Sequence, residues 1–225
     1  MRAPIASMGG KLPVGLKGRN WLLGFAADLD AGLPWVATHF DSSARRELVG
    51  RSREWPFVGE RIRERALDKT PDLLARATRD DLEHYMVDDI LAKVDRSSML
   101  NSLEVRAPLL DYRIIEFAFS KVPSRLKAAG DDNKILLKKL ARRVLPPEFD
   151  TRRKQGFSVP LDSWLRGGPW LRLFREVLLD GDNGIFRRKA VKRLLAGQAK
   201  GRANGERLFT LVLFELWRRE YRVVL

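Results

Sequence analysis

There is no cysteine among the 225 residues. That absence excludes disulfides, thiolate metal sites, iron–sulfur clusters and any thiol nucleophile. Histidine is nearly as scarce, and His39 and His84 alone cannot build a multi-histidine metal centre. Long hydrophobic runs are missing too. The apolar stretch Trp21 to Ala27 stops at Asp28, far short of the roughly 20 residues a membrane span needs. Lys11, Lys17 and Arg19 precede it as a signal peptide's basic region would, but no small-residue cleavage site separates it from Asp28 and Asp30. The expectation is a cytoplasmic chain with no membrane partner. Its chemistry must rest on Lys, Arg, Asp, Glu, Ser or Tyr.

What is present is enough for a core. Apolar residues make up 44% and charged residues 32%, which suits one folded domain or two small ones rather than a disordered chain. Lysine and arginine number 43 against 29 acidic residues, a net +14, most of it carried by residues 151–225. A basic last third fits nucleic acid, an acidic membrane, a polyphosphate or merely a solvated surface, and composition does not choose among them.

The first seventy residues are punctuated by glycine and proline and read as a loosely structured, linker-like region with short helices. From Pro71 to about Met99, Leu74, Ala77, Leu82, Tyr85, Met86, Ile90 and Val94 recur at three- and four-residue steps, which predicts a helix interrupted near Asp80. Asp111 is placed to cap a helix over 112–121, and Pro146 stops an amphipathic helix over 132–145. Further helical periods cover 161–166, 170–179, 187–195 and 206–223, and no segment alternates as a strand. The predicted fold is all-α, with 71–225 as the helical domain. Phe209, Val212, Leu213 and Leu216 of the last helix are expected to dock on the helix of Leu82, Met86 and Ile90.

Three constellations could carry chemistry. Asp81, Tyr85, Asp89 and Lys93 stand four apart on one helical face, either a magnesium-holding row or a solvated acidic face with an Asp89–Lys93 pair. Asp95, Arg96, Glu104, Arg106 and Asp111 fall within seventeen positions among apolar residues. They could form a folding network of salt bridges, or present arginine to phosphate and glutamate to a proton. Arg152, Arg153 and Lys154 precede the Gly156 turn and the apolar Phe157, which suits either an oligophosphate clamp or a solvated charge run. The cluster Arg187, Arg188, Lys189, Lys192 and Arg193 has no aromatic interleaving, so a nucleic-acid partner has no support.

Four blocks taken together resemble a known family. Tyr85 to Met99 (YMVDDILAKVDRSSM), Ser102 to Asp111 (SLEVRAPLLD), Lys134 to Lys138 (KILLK) and Arg153 to Pro160 (RKQGFSVP) are similar, in order and spacing, to the carboxy-terminal part of glutamine-hydrolysing asparagine synthetases. The resemblance covers 71–225 strongly and 11–70 loosely. It implies the helical carboxy-terminal portion of an adenine-nucleotide α-hydrolase-like synthetase domain, lacking its parallel sheet. It also implies ATP with magnesium as co-substrate, aspartate as the acyl substrate and β-aspartyl-AMP as the intermediate. A lysine at the position of Lys154 contacts phosphate in that family, and Asp89, Lys93, Asp95, Arg96, Glu104, Arg106 and Arg153 fall in blocks lining the same cleft.

The departures are equally plain. The family's amino-terminal cysteine nucleophile, its Ser-Gly-Gly-x-Asp-Ser ATP loop and its Gly-Asp-Gly-Gly-Asp-Glu-like segment have no counterpart, and Ser7-Met8-Gly9-Gly10 is not that loop. Three readings compete. The chain is a piece of an asparagine synthetase, inactive alone, whose ATP loop and glutaminase domain sit on a separate chain or are lost. Or it is a related amidoligase, similar to a β-lactam synthetase or lasso-peptide cyclase. Or it is a non-catalytic basic helical binding module.

Overall fold

The computed structural model describes residues 2–26, 39–49, 70–150, 159–180 and 185–224. Its contacts divide the chain into two units, one made of residues 1–57 with 157–225, the other of residues 58–156. The described residues are mostly helical, and no helix among them is long and apolar enough to cross a membrane.

The first unit holds α1 (Arg2–Lys11), α2 (Arg19–Ala26) and α3 (Ser42–Val49). Asp41 Oδ1 accepts from the backbone N–H groups of Ser43 and Ala44 at 3.1 and 3.2 Å, the N-cap arrangement that starts α3. Phe40, Ala44 and Leu48 then enter one core with Phe174, Val191, Leu208, Leu211 and Val212. Residues 40–48 thus supply part of that core. Its other walls are a short helix, Leu161–Trp164, and three longer ones, Gly168–Leu179, Arg188–Ala199 and Gly205–Glu220.

The last helix packs within its own unit. Leu208, Leu211 and Val212 are its buried apolar positions, and the three helices before it cover them. Leu213 and Leu216 are more than 40% exposed. The apolar run reads as all-round, yet a helix in a small bundle buries only the stripe its neighbours reach. Its carboxy-terminal turn is pinned differently. Glu215 is fully buried, accepts bonds from Arg218 and Arg219, and Arg219 Nη2 donates to Val177 O at 2.7 Å.

Two polar ties hold the amino-terminal segment in place. Gly15 has φ +82° and lies against Asn204, whose carboxamide and the Ala203 carbonyl leave no room for a Cβ. Arg19, 1% exposed, donates from Nε to Leu12 O at 3.1 Å and from Nη1 to the Asp41 carboxylate. Burial by itself would raise the Asp41 carboxyl, but the bonds from Arg19 and Ser43 outweigh it and hold it well below the usual carboxylate range. A pKa depressed on folding stabilises above the unfolded value of about 4, and that stability disappears as pH falls through the folded value. Thermal melts should therefore show the midpoint dropping from about pH 5 downward. Asp41→Asn should flatten that acid dependence; an unchanged slope would mean that other carboxylates set it.

The second unit opens with α4 (Leu73–Asp80), capped by Asp72, whose Oδ1 accepts from Leu74 N and Ala75 N at 3.0 Å. The cap sits one residue after Pro71, so the helix starts slightly later than Pro71 suggests. Past Asp80 the chain continues as a π-helix (Asp81–Leu91) and then α5 (Ala92–Met99). The expected interruption near Asp80 is a change of helical pitch without a break. Asp111 accepts from Arg113 N at 2.9 Å and starts Tyr112–Ser120, as its position predicts. A two-stranded antiparallel ribbon, Ala128–Ala129 with Asp132–Asn133, is the exception to the strand-free expectation. Gly130, at φ +56°, and Asp131 make its turn. Two-residue strands are too short to alternate, and they move the start of the following helix to Ile135.

Among the described residues, every fully buried apolar side chain belongs to the first unit. The second unit leaves Met99, Leu103, Leu109, Phe117, Leu140 and Val144 more than half or nearly half exposed.

Candidate functional site

Six of the residues singled out in the sequence fall on one continuous stretch of the second unit, from the π-helix through α5 to the extended segment before Pro108. Asp89 lies in the last turn of the π-helix and Lys93 in the first turn of α5. Lys93 Nζ reaches Asp89 Oδ1 at 3.7 Å, with both side chains about half exposed, so the four-residue spacing does bring them together. Glu104 and Arg106 meet at 2.6 Å and are exposed. Asp111 turns to Arg113, which donates from Nε and Nη2 at 2.9 and 2.7 Å. The Arg113 guanidinium, together with its own backbone N–H, holds the Asp111 carboxyl below its ordinary value.

Asp95 and Arg96 have no ion pair among the described residues. Of the two physical alternatives, the pairs that form are therefore local and solvated rather than one buried network. Exposed pairs contribute little to stability. All six of these charged side chains are exposed. They alternate with exposed Val94, Met99, Leu100, Leu103, Val105 and Leu109, an apolar surface that ordinary solubility does not favour.

The turn out of α5 is a second local feature. Leu103 N donates to Ser98 O at 3.0 Å and Asn101 Nδ2 to Ser97 O at 2.9 Å, which closes the helix around Ser102 at φ +55°. Glycine there would relieve left-handed strain of about 1–2 kcal/mol. The freer unfolded chain takes back up to about 1 kcal/mol. Ser102→Gly should thus stabilise by roughly 0.5–1 kcal/mol in urea unfolding. A destabilised variant would mean that the serine side chain makes a contact worth more than the strain.

Lys134 opens the motif block KILLK, and the sequence alone assigns it no role. Its backbone is left-handed at φ +54°, which turns the chain from the ribbon into the helix Ile135–Val144. Lys138, one turn on, donates to Asp132 Oδ1 at 2.6 Å, a bond that lowers the Asp132 pKa. The detectable signal was the Gly130-Asp131 dipeptide, which marks a hairpin turn. Farther along, Ala141, Leu145, Pro146 and Phe149 line an open groove of about 480 Å³. Arg153 and Lys154, with the rest of the basic segment 151–158, lie outside the described residues.

Among the described residues of the second unit, charged and apolar side chains are displayed together and no apolar side chain is fully buried. The asparagine synthase family profile matches residues 17–219, and the chain belongs to that family. Asparagine synthetase [glutamine-hydrolyzing] 1 of Bacillus subtilis is 34% identical over 141 residues, which is 61% of this chain and 22% of that protein. A putative asparagine synthetase [glutamine-hydrolyzing] of Mycobacterium bovis is 29% identical over 220 residues, 96% of this chain and 34% of that protein. The chain thus spans about a third or less of these relatives. No solved structure matches it significantly.

Proposed function

We propose that this chain is the carboxy-terminal portion of an asparagine-forming amidoligase of the adenine-nucleotide α-hydrolase-like type. In this reading a side-chain carboxylate oxygen of aspartate attacks the α-phosphorus of ATP. The bond to the bridging oxygen breaks, pyrophosphate leaves and β-aspartyl-AMP remains. The nitrogen lone pair of ammonia then attacks the activated carbonyl carbon. AMP departs with the bonding electrons, a proton is lost and asparagine is formed.

The chemistry needs cations where charge gathers on the leaving pyrophosphate, and Lys154 with Arg153 is assigned to that work. Asp89, Lys93, Asp95, Arg96, Glu104 and Arg106 are assigned to the surface facing the substrates. Magnesium enters with ATP, on its phosphates. Among the described residues no three histidine or carboxylate side chains are grouped as a metal site. The ATP loop and the glutaminase thiol belong to polypeptide outside these 225 residues, whether continuous with them or on a separate chain. The cytoplasm is the compartment this reaction implies. The division into a linker-like 1–70 and a helical carboxy-terminal 71–225 belongs to the same proposal.

The match of residues 17–219 to the asparagine synthase family carries this reading. The uncovered apolar side chains of the second unit support it, because they suit a surface that more of the same enzyme would cover. The test combines the purified chain with a polypeptide carrying the ATP loop and glutaminase domain, then follows asparagine and pyrophosphate. The chain alone should release neither above background, and the mixture should form one pyrophosphate per asparagine. Asparagine made by the chain alone would overturn the dependence on further polypeptide. A mixture inert with aspartate would overturn the asparagine assignment.

A further inference from the structure

The first unit contains a cavity of about 340 Å³, at the low end of the range of about 300–1,000 Å³ usual for small-molecule sites. It lies among the end of α1, the turn into α2, α3 and the helix Arg188–Ala199, and none of the residues assigned to the ligase reaction lines it. Leu12, Phe40, Leu48 and Leu194 give it apolar walls. Its charged lining is Lys11, Arg19, Arg193 and Arg202 with one carboxylate, Glu47, and that carboxylate is already paired with Arg193.

The balance of charge is therefore uneven. Lys11 and Arg202 have no carboxylate partner among the described residues. Arg19 is almost wholly buried and bonds Leu12 O and the Asp41 carboxylate. A second buried guanidinium, Arg207, lies near enough that burial and the Arg19 charge together lower its pKa. Its Nε has no hydrogen-bond partner. Lys11 and Arg202 thus line the cavity without a counter-charge among the described residues, and an anion brought there would pair with both.

We propose that this cavity binds a small organic anion, a carboxylate or phosphate ester, whose charged end meets Lys11, Arg19 and Arg202 while its apolar body lies on Phe40, Leu48 and Leu194. An inorganic ion would leave the apolar walls wet, and a neutral apolar molecule would leave the cations uncompensated. Both parts of the ligand are needed. None of its lining residues is assigned to the ligase reaction, so its occupancy is read without asparagine formation.

The experiment is thermal unfolding of the whole chain with benzoate, phenyl phosphate, inorganic phosphate or benzyl alcohol. At about a hundredfold excess over Kd, benzoate or phenyl phosphate should raise the midpoint by about 5 °C or more. Whichever of the two acts at lower concentration identifies the charged group. Lys11→Ala with Arg202→Ala should weaken that effect at least tenfold. Lys11 is exposed, so Lys11→Ala alone serves if the double variant loses its helical circular dichroism. A second variant, Gly10→Leu, puts a side chain into a lining position where a Cβ meets nothing within 4 Å, and it should block binding by filling the space. Absence of any shift, an equal shift from inorganic phosphate or benzyl alcohol, or a shift that survives these variants would overturn the proposal.

Discussion

Lys154→Ala is expected to lower pyrophosphate release by the assembled enzyme by about two to three powers of ten. The reason lies in where charge moves during adenylation. As the α-phosphorus takes the carboxylate oxygen, negative charge collects on the departing pyrophosphate, and an ammonium group beside it stabilises the transition state more than bound ATP. Loss of one such donor typically costs about 3 kcal/mol of barrier. The Michaelis constant for ATP should change less than kcat. Arg152→Ala and Arg153→Ala are the comparison, because a merely solvated charge run would make all three substitutions equally mild. Near-normal turnover by Lys154→Ala, with an arginine variant inactive, would move the assignment to that arginine.

Phe174→Ala should have the largest effect on stability, about 3–5 kcal/mol. Phe174 is 1% exposed and sits edge-on to Trp170, with ring centroids 6.4 Å apart, and at the same distance from Phe209. Truncation removes the ring's transfer energy and leaves a cavity that these aromatic neighbours cannot fill by a small shift. Set against a total stability of about 5–15 kcal/mol, that loss removes a large share. Leu173, one residue earlier and 40% exposed, is the control, and Leu173→Ala should stay within about 0.5 kcal/mol. Urea unfolding followed by tryptophan fluorescence decides it, since Trp164 and Trp170 stack beside the site. Equal costs for the two variants would contradict the described core.

Local signals in the sequence carried their elements well. Asp111 caps the helix after it because a cap needs only one side chain and the next two residues, and the Asp89–Lys93 pair forms because helical spacing dictates it. The four motif blocks identified the family for the same reason. What was hidden depends on distance along the chain. Nothing near Phe40, Ala44 and Leu48 states that their partners lie more than a hundred residues later at Phe174 and Val191. Which apolar residues of the last helix are buried, Leu208, Leu211 and Val212, was hidden on the same ground, since hydrophobicity marks which residues can be buried and not which neighbour arrives. The π-helix escaped because its composition matches an ordinary amphipathic helix, and the ribbon because two residues per strand carry no period.

The insertion of residues 58–156 between the two chain segments of the first unit also imposes a timetable on synthesis. Residues 58–156 are complete before the helices that close the first unit's core leave the ribosome. At about 5–20 residues per second, Phe40 and Leu48 wait roughly ten seconds or longer for the residues that bury them. During that interval the nascent chain holds an unsatisfied amino-terminal segment and a middle unit with apolar side chains still in water. Expression should therefore respond to chaperone supply and to translation speed beyond residue 156 more than to synonymous changes over residues 1–50.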